Sequence, residues 1–147
     1  MRARAKTRVF LDSNVIFSGL HSPDGAPGNV LERFIEGDFL AVISQQVLEE
    51  LVRTIKEKLP AALPALRSLL LSAPPEVCKD AAPEEVARWA RVIHEEDAPI
   101  LAAAVAARPD LLVTGDAHFL SSPGIAKKSG LRILTPARFL KLMEGED

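Results

Sequence analysis

Four short apolar runs, each ending on polar residues, constrain this chain more than any other feature. "RVFL" (8–11) runs into "DSN", "FLAVI" (39–43) into "SQQ", "DLLV" (110–113) into "TGD" and "LRIL" (131–134) into "TP". Amphipathic stretches lie between them, and this alternation predicts an α/β domain with a parallel sheet. The stretch "NVLERFIEG" (29–37) reads as a helix closed by Gly37. Ser44 is placed to cap a helix whose apolar stripe is Val47, Leu48, Leu51, Val52 and Ile55. A further helix, "LPALRSLLL", is entered through Pro60 and Pro64 and stopped by Pro74 and Pro75. "PEEVARWARVI" (83–93) opens with proline and two acids, as suits the positive end of a helix dipole. "APILAAAVAA" (98–107) is apolar nearly all round and predicts a buried helix, and "PARFLKLM" (136–143) a closing one.

At 147 residues the chain has the length of one domain, 1–147, with a basic amino-terminal arm over 1–8. The formal net charge of −2 gives no overall attraction to nucleic acid, so such binding has to come from local patches. Arg2, Arg4, Lys6 and Arg8 form one patch and Lys127 with Lys128 another, although a basic arm also reads simply as a solvated end. No apolar run approaches the roughly 18 residues of a spanning helix, and no secretory core precedes the first strand, so the expected location is cytoplasmic, away from membranes. Cys78 has no second cysteine to pair with and reads as a structural thiol.

The carboxyl ends of parallel strands share one edge, where open α/β folds place their ligand crevice. Asp12 and Asp116 would both face it if their strands are neighbours. Asp97, just before the buried helix, and Glu49 or Glu50, early on the helix after the second strand, can join them. Like charges this close resist ionising together unless a cation compensates them. Carboxylates with a Ser13 or Asn14 helper, and no Cys/His ligand pattern, suit a hard ion, Mg²⁺ or Mn²⁺, rather than Zn²⁺. Such ions are commonly shared with substrate phosphates, which points to phosphodiester hydrolysis by an activated water.

Each acid also has a structural role open to it. Asp12 can cap or close a turn, Asp116 sits in ordinary Gly-Asp turn chemistry, and Asp97 occupies a good N-cap position. Glu49 and Glu50 flank the apolar stripe equally, so periodicity does not choose between them. Glu49 stands four residues before Arg53, a spacing for a surface ion pair that leaves Glu50 the freer acid. His21, in the Gly/Pro-rich loop "GLHSPDGAPGN", reads as a loop residue able to swing over the crevice. His94 reads as structural at a helix end. His118, with Arg53 and Lys56, stands as a possible contact to substrate phosphate.

Taken together, "VFLDSNVIFSG", "ISQQVLEEL", "EEDAPILAAAVAA" and "LLVTGDAHFL" resemble the PIN-domain family, in the branch associated with toxins of toxin–antitoxin systems. The resemblance runs from Val9 through Phe139. It implies a three-layer α/β/α sandwich around a parallel sheet and a Mg²⁺- or Mn²⁺-dependent ribonuclease site. The family's acids fall on Asp12, Glu50, Asp97 and Asp116 as catalytic and metal-holding residues, and its supporting polar positions on Asn14 and Thr114. It further implies an RNA substrate, a homodimer and a small antitoxin that covers the site. The departure lies beyond Asp116, where many relatives carry another acid and this chain has His118 and Phe119, which puts a complete second metal site in question. Two other classes stand beside the ribonuclease reading. A haloacid-dehalogenase-like phosphatase would need an acid at Asn14 and at Leu120, and a catalytically silent binding module would have no need of the intact acids.

Overall fold

Every strand of this protein runs parallel, in a five-stranded sheet of order β3-β2-β1-β4-β5. The structure is a computed structural model that describes residues 6–121 and 123–145. The strands are β1 (Arg8–Leu11), β2 (Leu40–Ser44), β3 (Glu76–Cys78), β4 (Leu111–Val113) and β5 (Ile133–Leu134). The helices are α1 (Ser13–His21), α2 (Ala26–Ile35), α3 (Gln45–Lys58), α4 (Leu63–Ser72), α5 (Pro83–Trp89), α6 (Ala98–Ala107), α7 (Ala117–Leu120), α8 (Pro123–Ser129) and α9 (Pro136–Met143). They flank the sheet as the expected α/β/α sandwich.

Chain order decides where a crevice forms. From β1 the chain steps outward to β2 and β3, then returns to place β4 on the other side of β1 and continues to β5. The order therefore reverses between β1 and β4. The two helical layers leave opposite faces there, and the gap opens at the carboxyl ends of those two strands. Leu11 pairs with Val113 across this seam. Being central, β1 is buried on both faces, with Val9, Phe10 and Leu11 all fully inaccessible. Phe39 and Phe139 pack edge to face at 5.1 Å elsewhere in the core, the orientation aromatic quadrupoles favour.

Several expectations need correction. β3 is a fifth strand, missed because three residues after two prolines carry no readable alternation; pairing with β2 and the Arg8–Glu76 ion pair of 2.8 Å hold it in place. α1 begins directly after Asp12, so "SNVIFSGLH" is helix where no element was expected; Val15, Ile16 and Gly19 form its short buried stripe. α2 starts at Ala26 rather than Asn29, with Pro27 in its first turn. α5 stops at Trp89, and the chain turns through 90–97 instead of staying helical to Ile93. Arg8 is not a free basic group either. Its guanidinium holds Glu76 and donates to the carbonyls of Ala107 and Arg108, tying the amino edge of the sheet, while Arg2 and Arg4 lie outside the described residues.

Other features stand as read. Ser44 Oγ accepts from Val47 N at 3.1 Å, Gly37 adopts φ +82° after α2, and α6 buries six residues, four of them alanine. Cys78 is half-buried and burial pushes its thiol pKa up, the opposite of a reactive cysteine. Among the described residues no helix is long and apolar enough to cross a membrane.

Gly28 marks where the α1–α2 loop closes down, since a Cβ there would lie 2.0 Å from the carbonyl oxygen of Pro23. Gly28→Ala should lower the urea unfolding free energy by roughly 1–3 kcal/mol through overpacking. Gly124, helical with open space where its Cβ would be, supplies the control, because Gly124→Ala should be neutral or stabilising by up to about 1 kcal/mol.

Candidate functional site

Asp12 is the first residue past β1, and its amide donates to the carbonyl of Val113 at 3.1 Å, which pins it to β4 at the seam. The residue is only 5 % exposed. Three donors converge on it: Ser13 N at 2.7 Å on Oδ1, and Thr114 Oγ1 at 2.8 Å and Asn14 Nδ2 at 3.2 Å on Oδ2. The Asn14 side chain also accepts from Gly115 N at 3.0 Å, so one amide fastens the ends of both strands. Thr114 Oγ1, besides donating to Asp12, accepts from Asp116 N at 2.9 Å. Ser13, Asn14 and Thr114 thus all hydrogen-bond to this group of acids.

Burial comes first among the causes that push the Asp12 carboxyl up to about 6; the Glu50 and Asp116 charges add to it, and the Thr114 and Ser13 hydrogen bonds oppose it. Glu50 lies on the half-buried side of α3 and accepts from Ser13 Oγ at 3.1 Å. Glu49 is exposed and accepts from Gln45 Nε2 at 3.5 Å; it forms no ion pair with Arg53 among the described residues. Of the two glutamates, Glu50 is the one that hydrogen-bonds to Ser13, beside Asp12.

Asp97 begins α6 without a side-chain cap hydrogen bond, which removes the capping alternative. Its Oδ2 instead meets His118 Nδ1 at 2.7 Å. Asp116 does cap, accepting from His118 N at 2.7 Å, and its Oδ1 is also 3.6 Å from His118 Nδ1. One ligand atom each from Asp97, Asp116 and His118 fall within 4.8 Å of one another. Burial raises the Asp97 pKa, and the hydrogen bond to Asp97 raises that of His118.

Asp12 and Glu50 stand outside that tight group but are tied to it through Thr114 and Ser13. A continuous chain of contacts runs Glu50, Ser13, Asp12, Thr114, Asp116, His118, Asp97. The oxygen-rich donors, and a central carboxyl raised for want of compensation, fit a hard divalent cation.

Arg53 and Lys56 line a separate hollow with Leu48 and Val52, away from Ser13 and Glu50. The lysine that shares a hollow with Glu50 is Lys58, together with Ser13, Asn14, Phe17, Leu51 and Thr54. Positions 50, 54 and 58 repeat at helical spacing, and that signal was present in the sequence. His94 stands in the turn segment before α6 and not at a helix end, and its ring stacks on His118 at 5.1 Å and 10°. Nothing local in sequence links two histidines 24 residues apart.

A parallel α/β sandwich with dispersed acids at the seam of its sheet is the architecture of a PIN-type domain. The family model described as PIN domain matches residues 8–118, and the chain belongs to the PIN domain family. Its fold is similar to that of VapBC2 from Rickettsia felis, solved bound to a promoter DNA fragment: 19 % identity, TM-score 0.63, covering 88 % of this chain and 98 % of that one. PAE2754 from Pyrobaculum aerophilum is similar at 17 % identity and TM-score 0.68, covering 95 % and 91 %. FitAcB from Neisseria gonorrhoeae is similar at 18 % identity and TM-score 0.62, covering 88 % and 98 %. No curated protein matches the chain by sequence.

Because folding raises the Asp12 pKa from 3.8 to about 6, the folded state takes up a proton between those values. The resulting stabilisation is full below 3.8 and is lost as pH rises through about 6. Urea unfolding of the metal-free protein should therefore show wild type losing stability relative to Asp12→Asn from pH 4 to pH 7, by up to roughly 3 kcal/mol. A flat difference across that range would place the Asp12 titration outside it.

Proposed function

We propose that this PIN domain is a metal-dependent endoribonuclease, the toxin of a toxin–antitoxin pair. The observation that carries the reading is Asp12, a buried carboxylate at the strand-order reversal, linked by hydrogen bonds to three further acids. Asp12, Glu50, Asp97 and Asp116 would hold Mg²⁺ or Mn²⁺. When bound, the ion supplies Lewis-acid charge that draws in phosphodiester oxygens and lowers the pKa of a water.

The remaining roles belong to the chain's own side chains. Thr114 fixes Asp12 and the backbone of Asp116 at once, so the acids keep their spacing without a ligand's help. Ser13 turns Glu50 towards Asp12, and Asn14 locks the strand ends together. His118, held on Asp97 with more than half its side chain exposed, reaches a substrate phosphate from the α7 side. The phosphatase alternative falls with family membership, and Asn14, which that mechanism needs as an acid, donates to Asp12 instead.

The similarity to the VapBC2 and FitAB structures supports an antitoxin partner, and the proposed reading further carries an antitoxin that covers the crevice, homodimerisation and a cytoplasmic location. Incubation with mixed single-stranded RNA should give cleavage in Mg²⁺ or Mn²⁺ and none in EDTA. Asp12→Asn should abolish it, whereas Thr114→Val should reduce it roughly 10- to 100-fold, as loss of an orienting partner does. Inactivity of the wild type with both metals, or undiminished cleavage by Asp12→Asn, would overturn the reading. Added Mn²⁺ should also raise the wild-type melting temperature and leave that of Asp12→Asn nearly unchanged.

A further inference from the structure

One hollow continues from the acids along α1 and α3 and is unused by the roles above. It encloses about 260 Å³, with Ser13, Asn14 and Glu50 forming the end nearest the acids. Phe17 of α1 and Leu51, Thr54 and Lys58 of α3 form the rest. The volume lies just under the roughly 300–1,000 Å³ of sites for drug-sized ligands, which suits one flat ring system. Phe17 is half-buried and its ring stacks on His21 at 6.0 Å with 15° between the planes. His21 thereby backs one face of the Phe17 ring. Lys58 is exposed and makes no ion pair among the described residues, whereas Arg8, Arg33 and Arg88 each hold a carboxylate. Glu50, Thr54 and Lys58 follow one stripe of α3, a rise of about 12 Å from acid to cation.

We propose that this hollow is a nucleotide subsite for single-stranded RNA, taking the base next to the bond that is cut on Phe17 and its neighbouring phosphate on Lys58. The proposal rests on the ribonuclease reading. A strand whose scissile phosphate lies at the acids has to leave them along an adjoining surface, and this hollow begins at two residues that contact Asp12. Unpaired bases are commonly held by stacking on an aromatic ring, a contact indifferent to base identity, and a lone lysine is a natural partner for backbone phosphate. His21, read from sequence only as a loop residue near the crevice, belongs here as the support behind Phe17.

The test is fluorescence anisotropy with a labelled ten-nucleotide single-stranded RNA, with Ca²⁺ replacing the reactive ion so that binding is read without cleavage. Phe17→Leu, which keeps an apolar side chain against the core, should weaken binding about tenfold. It should cause no further loss on an RNA with abasic positions, which already lacks the stacking partner. Lys58→Gln, at an exposed position that leaves the fold intact, should lower the slope of log affinity against log salt by about 0.7, as expected for one phosphate contact to a single strand. Failure of the wild type to bind this RNA at all would overturn the ribonuclease reading and the subsite with it. Binding by the wild type with both variants equal to it would overturn the subsite alone, and would leave the hollow to a protein partner.

Discussion

The hydrogen bond from Thr114 to Asp12 joins the two strands between which the order of the sheet reverses, and the rest of the site hangs on it. It spans residues 102 apart in the chain and is 2.8 Å long in a buried setting. A charge-assisted bond of this kind is stronger than a neutral one, and losing its donor would leave a buried carboxylate short of a partner. The same hydroxyl accepts from the amide of Asp116. One small β-branched side chain at the end of β4 therefore sets where two acids stand.

Asp12 is held by three donors and still raised to about 6. Three hydrogen bonds do not offset its desolvation together with the field of Glu50 and Asp116. This costs stability as pH rises through about 6, and on the metal-dependent reading proposed above a divalent cation would offset it. A site of this kind is prearranged by its scaffold, with its acids fixed by strand ends and helix starts rather than by mobile loops.

The other half of the site depends on α6. Four alanines among its buried residues let the helix lie close against its neighbours, and that close packing brings its first turn, with Asp97, to His118. The two acids that flank His118 come from different elements, α6 and the start of α7. His94, in the turn segment before α6, stacks on the far face of the same ring. His118 is thereby oriented by a carboxylate at its edge and an aromatic ring on its face.

Much of this was legible before any coordinates. The apolar runs with polar ends gave the parallel sheet and its functional edge, because strands buried on both faces must be continuously apolar and must stop where the crevice opens. That rule puts Asp12 and Asp116 at strand ends, while the pairing of β1 with β4 that makes those ends neighbours comes from the structure. Helix α1 was not legible, since its buried stripe is short and follows a strand without a break, and neither was β3, too brief for alternation to register. What only the tertiary structure decided was which alternative each acid adopted. Asp97 and Asp116 both stand at helix starts, yet Asp116 caps and Asp97 turns to His118. Glu49 and Glu50 are equivalent by periodicity, yet only Glu50 meets Ser13. The sequence determines which backbone positions can present a carboxylate. The direction that carboxylate takes depends on hydrogen-bond partners brought from distant segments, as Thr114 is brought to the strand-end residue of "RVFLD".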